Sequence, residues 1–264
     1  MHSVVCIKQV LDQDIPPRAF RVDRAARRPD VAGAPLVMSI FDGNALETAL
    51  RLREAQSGGS VTALTIGPKG AEEVLRKALA VTADQAVLVS EGELDGVDAQ
   101  ARAALIAAAV RKLTPGVDLV LCGRQAGDWE SGQVGSMVAE ALEWPCVTLV
   151  SQITPAEGGR VRLRREVEDG YEIVEAASPV VVTVTNGEGN VLRLAKVRDV
   201  MMAHRKPITT FTAADLGGAD GVSGAALVDL FIPDKSSKCE FVDGKTAAEK
   251  ATNLVRKLRE LKVL

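Results

Sequence analysis

Short runs of β-branched and other apolar residues alternate along this chain with longer stretches of helical period. The apolar runs fall at 4–7, 61–66, 86–89, 119–122 and 147–150, and the segments between them predict helices near 44–56, 71–80, 98–113 and 132–142. Continuous apolar runs mark strands covered on both faces, and their alternation with helices predicts an α/β fold with a doubly wound, mainly parallel, Rossmann-like sheet. Two helix starts carry local signals. Asp98 precedes an Ala-rich stretch, and Ser131 precedes the fourth helix with a hydroxyl suited to an orphan N–H.

From about residue 153 the pattern becomes strand after strand. Segments 160–166 and 171–176 flank an Asp169-Gly170 turn, which predicts a β-hairpin added to the sheet, and 179–185 reads as a further strand. Residues 187–224 read as an irregular surface region. A last helix is predicted over 247–262, opened by Thr246, with Ala248, Ala251, Leu254, Val255, Leu258 and Leu261 on one face. The Gly/Ser-rich stretch 217–225 and the polar run 234–238 set this helix apart. The chain therefore divides into an α/β domain, 1–222, and a C-terminal helical arm, 223–264, whose stripe is expected to pack on a partner chain.

Composition excludes several classes of function. With 264 residues, 47% of them hydrophobic and 25% charged, the chain can bury a core and does not resemble a disordered segment. Only 3% of residues are aromatic and the net charge is −3, so a nucleic-acid surface of basic and stacking residues has little material. Cys6, Cys122, Cys146 and Cys239 lie far apart with no C-x-x-C pair, and read as buried or inert thiols of a reducing cytoplasm, not metal ligands. The first residues lead straight into a strand without a basic and then long apolar leader, and no 18-residue apolar run occurs, so a cytoplasmic protein with no membrane insertion is expected. His2 and His204 stand near no evident nucleophile and read as surface residues. No catalytic constellation emerges, which suits a protein whose chemistry belongs to a bound cofactor.

In open α/β sheets ligands settle beyond the carboxyl ends of the strands, so the residues just after each strand carry the information. After the first strand comes Lys8, after the second Gly67-Pro68-Lys69-Gly70, and after the fourth a glycine-bearing loop that runs from Gly123-Arg124-Gln125-Ala126 through Gly127 and Gly132 to Gly135 and into a helix. Glycines let a backbone approach a ligand closely, and helix-start N–H groups favour phosphate. The spacing is neither a Walker loop nor G-x-G-x-x-G. Asp128 and Glu130 would repel a phosphate and are expected to cap helix N–H groups or accept from ribose hydroxyls.

Taken in order, these residues resemble the beta subunits of electron-transfer flavoproteins over nearly the whole chain. The likeness begins at Val5-Cys6-Ile7-Lys8-Gln9-Val10, continues through Phe41-Asp42 with Ala45-Leu46-Glu47 and Gly67-Pro68, and is strongest at Gly123-Arg124-Gln125-Ala126 with Asp128, Gln133 and Gly135. A second block is Arg164-Arg165-Glu166-Val167-Glu168-Asp169-Gly170, followed by Glu172 and Pro179-Val180-Val181-Val182-Thr183.

The resemblance implies an electron carrier, not a free-standing enzyme. It implies a heterodimer with an alpha subunit that holds most of an FAD shared with this chain, electrons delivered by flavin-dependent dehydrogenases, and onward transfer to a quinone reductase or other acceptor. It also implies a nucleotide of this subunit's own, AMP or a second FAD. The matching positions are Cys6, Lys8, Ser39, Phe41, Asp42, Ile66, Gly67, Gln125, Asp128, Trp129, Glu130, Ser131, Gly132, Gln133, Val134, Gly135 and Met137. A loop at 192–203, with Leu194 and Val197, resembles the family's docking element. The chain departs from the family pattern at Ser39-Ile40, where Asn-Pro is usual, and at Trp129, where a small or acidic residue is common and where a ring could be stacked or displaced. The alternatives are a flavin-free adenine-nucleotide-binding module and an ATP-cleaving α/β enzyme, although the latter would need a phosphate loop with lysine and serine.

Overall fold

The computed structural model describes residues 1–31, 33–90, 98–113, 116–217, 224–234 and 239–264. They form two compact units, Met1–Asp229 and Leu230–Leu264. The boundary expected at 222/223 and most of the polar run 234–238 lie outside the described residues.

The first unit is built on β1 (His2–Cys6), which enters the centre of a nine-stranded sheet. Two short ribbons follow: β2 (Gln9–Leu11) pairs with β5 (Leu36–Met38), and between them β3 (Val22–Asp23) pairs with β4 (Arg28–Pro29). Then come α1 (Ile40–Ala55), β6 (Ser60–Gly67), α2 (Glu72–Ala80), β7 (Gln85–Ser90), α3 (Ala99–Leu113), β8 (Leu119–Gly123) and α4 (Val134–Leu142). The chain continues through β9 (Cys146–Pro155), the hairpin β10 (Val161–Val167) and β11 (Gly170–Ala176), β12 (Val180–Val184), α5 (Val197–Ala203) and β13 (Thr209–Thr212). The sheet order is β11-β10-β9-β12-β8-β1-β6-β7-β13, parallel throughout except for the antiparallel hairpin at one edge.

Successive side chains of β1 point to opposite faces, and the core follows that alternation. Val5 packs with residues of α1 and α2, including Leu46, Leu50, Val74 and Leu75. Val4 and Cys6 pack with α3 and α4 through Ala107, Val110 and Val138. Fully buried leucines such as Leu46, Leu64 and Leu121 each contribute about 2 kcal/mol of transfer free energy. Among the described residues no helix is long and apolar enough to cross a membrane.

Some local expectations change. Helix α4 starts at Val134 with Gln133 in the N-cap position and no side-chain cap, so Ser131 does not hold its first turn. Asp98 does cap α3, accepting from the Ala101 N–H at 2.9 Å. His2 is not a loose surface residue: it lies in β1, half-buried, with Nε2 2.9 Å from Thr62 Oγ1. The region read as irregular contains α5 and β13, whose Thr-Thr-Phe-Thr pairs with β7 and extends the sheet. A tetrapeptide at a sheet edge is too short for alternation to stand out.

The second unit contains α6 (Ala247–Glu260). Thr246 accepts from the Glu249 N–H while the Glu249 carboxylate accepts from the Lys245 N–H, a reciprocal cap at the helix start. None of the helix is buried, and Leu254 and Val255 are 45% and 41% exposed.

Candidate functional site

Strand order reverses between β1 and β8: the chain passes from β1 to β6 and β7 on one side, then returns to β8 on the other. Such a switch point splays the loops apart and leaves a crevice beyond the carboxyl ends. A cavity of about 690 Å³ opens there, within the range of roughly 300–1,000 Å³ typical of cofactor sites. Its walls come from the ends of β1, β6 and β8, the first turns of α1 and α3, the loop 123–134, the β3–β4 hairpin and residues 225–227. A concavity of similar size, about 720 Å³, lies on the β9–β11 edge among Glu157, Arg160, Arg162 and Glu175, but it touches no strand end of the switch point.

Of the residues marked by the sequence, Cys6, Lys8, Asp42, Ile66, Gln125, Trp129, Ser131, Gly132, Gln133 and Val134 line the cavity. Others stand behind the wall. Ser39 Oγ accepts the Gly127 N–H at 3.3 Å, and the Phe41 ring lies 4.3 Å from the Arg124 guanidinium. Gly135 lets α4 press on β12, since a Cβ there would meet Thr183 Cγ2 at 2.4 Å. Met137 packs partly buried against the α3–α4 core, Gly67 ends β6, and Glu130 takes a left-handed turn with φ of 52°. Asp128 does not cap a helix. It pairs with Lys8 Nζ at 2.6 Å, tying the β1 end to the 123–134 loop, and accepts the Trp129 N–H.

Asp42 is the acid of the wall. Its carboxylate accepts the N–H groups of Lys8 at 2.8 Å and Gly123 at 3.1 Å, which joins the ends of β1 and β8 through the first turn of α1. Burial pushes its carboxyl up to about 7, partly offset by those two backbone donors and by Lys8. Cys6 and Cys122 form the floor on adjacent strands. Hydrogen bonding to the Cys6 thiol, then burial, pushes the Cys122 thiol well above its ordinary value, so Cys122 is held protonated and is a poor nucleophile.

The cavity also holds cations that the sequence reading left out of the site. Arg27, Arg28, Arg102 and Arg124 line it together with Lys8, against the carboxylates of Asp42 and Asp98. Arg124 stands inside the quoted motif and could have been chosen; its Nε is buried and has no hydrogen-bond partner. Arg27 and Arg28 belong to a stretch with arginines at 18, 21, 24, 27 and 28, a charge run whose position over the crevice only tertiary structure reveals. A buried guanidinium nitrogen without an acceptor, in a wall rich in cations, is the donor set of an anion site.

The description "electron transfer flavoprotein domain" belongs to the family model that matches residues 31–216. The chain belongs to the electron transfer flavoprotein family. The caffeyl-CoA reductase-Etf complex subunit CarD of Acetobacterium woodii is 35% identical over 269 residues, covering all of both chains. The electron transfer flavoprotein subunit beta of Thermoanaerobacterium thermosaccharolyticum is 39% identical over 217 residues, 82% of this chain and 80% of that one. The Megasphaera elsdenii beta subunit is 36% identical over 247 residues, 90% and 89% of the two chains. The function of this electron transfer flavoprotein chain is therefore that of a beta subunit in electron transfer.

Proposed function

We infer that this beta subunit works as a heterodimer with an electron transfer flavoprotein alpha subunit, shares an FAD with it, and holds an adenine nucleotide of its own, AMP or a second FAD, in the switch-point cavity. The observation that carries the nucleotide reading is the cavity itself, with the unpartnered Arg124 Nε and the glycine-bearing loop in its wall. FAD supplies the redox chemistry when bound; this chain's residues bind, orient and shield. Asp42, Lys8 and Asp128 fix the relative positions of β1, β8 and the loop, so the wall is formed in advance. The relatives are subunits of electron-transfer complexes, which suits a carrier with no catalytic constellation of its own.

Two surfaces suit partner chains. The apolar stripe of α6 in the 223–264 arm suits packing on the alpha subunit, by the logic of an amphipathic helix with no fully buried residue. The segment ending in α5 exposes Leu194 at 95%, Val197 at 80% and Met201 at 62%, and suits transient docking of flavin-dependent dehydrogenases that deliver electrons to the shared flavin. A quinone reductase or other acceptor receives them, in a cytoplasmic setting.

The test is acid extraction of the purified two-chain complex with chromatographic quantification of the released nucleotides. The reading expects either AMP together with one FAD, or two FAD, per heterodimer. One FAD with no second nucleotide refutes it.

A further inference from the structure

The outer wall of the cavity is made of two segments far apart in sequence and tied together by arginine. In the β3–β4 hairpin Asp23 Oδ1 accepts the Ala26 N–H at 2.9 Å, closing a tight turn that carries Arg27 at φ of 50°. That left-handed conformation favours glycine and disfavours a long side chain. Arg27 nonetheless holds it, and its Nη1 donates to the Leu227 carbonyl at 2.6 Å. Arg24 donates through Nε and Nη2 to both carboxylate oxygens of Asp229, the first at 2.8 Å. The same stretch is moored at its other end, where the N–H groups of Gly224 and Ala225 donate to Asp98 Oδ2 at 2.7 and 2.9 Å.

The clasp leaves positive charge facing inward. Arg28 lines the cavity and, among the described residues, its side chain has no hydrogen-bond or ion-pair partner; the Arg27 guanidinium uses only Nη1. The carboxylates on the wall do not neutralise them, because Asp98 is occupied by backbone N–H groups and Asp42 by those of Lys8 and Gly123. Trp129 lines the same cavity with 56% of its surface exposed, an aromatic face still available for stacking. Two neighbouring guanidiniums, Arg27 on a backbone held in the left-handed region and Arg28 beside it, together with an exposed aromatic face, describe a phosphate and ring subsite beyond the strand-end loops.

We propose that the hairpin and residues 224–229 form an arginine-clasped outer subsite, in which Arg27 and Arg28 bind phosphate and Trp129 stacks on a second ring, so that the cavity selects a dinucleotide over a mononucleotide. This rests on the nucleotide reading above and assigns the specificity to three residues that lie outside the strand-end loops or depart from the family pattern.

The experiment is titration of the nucleotide-stripped two-chain complex with FAD and, separately, AMP, following Trp129 fluorescence against a Trp129→Phe control and heat of binding. Wild type should bind FAD more tightly than AMP. Arg28→Gln should weaken FAD by about tenfold or more, the scale of one charge-assisted hydrogen bond, and leave AMP within about twofold. Arg28→Lys should recover part of the loss. Trp129→Phe, which leaves every bond of the clasp in place, should weaken FAD selectively even where an arginine variant fails to fold. Equal losses for both ligands, or no loss for either, overturn the subsite. Wild type that binds AMP but discriminates against FAD also overturns it while leaving the nucleotide reading intact, and wild type that binds neither defeats that reading itself.

Discussion

Arg193 wraps the buried carboxylate of Glu47 on α1, donating through its backbone N–H at 3.1 Å, Nε at 2.9 Å and Nη2 at 3.0 Å. The same guanidinium reaches Glu54, and Arg51 closes on Glu47 from one turn along α1. The Glu47 side chain is only 2% exposed. Burial pushes its carboxyl up, but hydrogen bonds from Arg193 and Arg51 outweigh that and hold it below its ordinary value. The exposed apolar segment of Leu194 and Val197 begins at the next residue, so this cluster fixes where that segment leaves the core.

Removing the guanidinium should therefore strand a buried charge. Arg193→Met is expected to cost about 2 kcal/mol, below the figure for a fully buried pair because Arg193 is itself 30% exposed. The stabilisation is present above the ordinary glutamate value of 4.5 and is lost as pH falls through the depressed folded value. Denaturant melts of wild type and variant at neutral and acidic pH measure both, with the gap narrowing on acidification.

Asp42 gives the opposite sign. Because its folded value is raised to about 7, it counts against the folded state increasingly as pH rises from 3.8 through that value. An anion in the cavity adds repulsion to the ionised form. Nucleotide affinity should rise by about threefold to tenfold as pH falls from about 8 to about 6.5, and Asp42→Asn should flatten the profile. Calorimetric titration across that window decides it.

Val197→Glu places a charge on a residue 80% exposed, so folding should be unaffected. Electron transfer from the partner dehydrogenase should slow about tenfold with bound flavin unchanged, the effect of losing one apolar anchor. An unaltered rate in stopped-flow mixing removes this segment from docking.

Gly135→Ala tests the seam between α4 and β12. Its Cβ would stand 2.4 Å from Thr183 Cγ2 and 3.4 Å from Cys122 Cβ, so the helix must shift off the sheet. The expected loss is about 1–3 kcal/mol by thermal melt, with weaker nucleotide binding as the preceding 123–134 loop moves.

Leu254→Asp interrupts the stripe of a helix that has no fully buried residue. The alpha subunit should no longer co-purify, while circular dichroism of this chain is unchanged.

The parallel core was legible because Val-rich runs and intervening helices each follow one period over enough residues to register. The strand ends, and with them Lys8 and the 123–134 loop, could be located for the same reason, whereas Asp42, at the start of a helix, was marked only by the resemblance to the family. What escaped detection depends on pairings between distant segments. β13 is four residues long, β3 and β4 are two each, and Arg27 meets Leu227 across 200 positions. Ser131 misled because a good capping residue type is not a cap unless the chain turns there, and α4 starts three residues later.

The Cys6 thiol at the cavity floor offers a gauge of occupancy. A reagent reaches Cys6, buried in the cavity wall, through the space a nucleotide would fill, whereas Cys146 and Cys239 are exposed and modified regardless. Counting alkylated sulfurs by mass would then report, molecule by molecule, what fraction of a preparation is loaded.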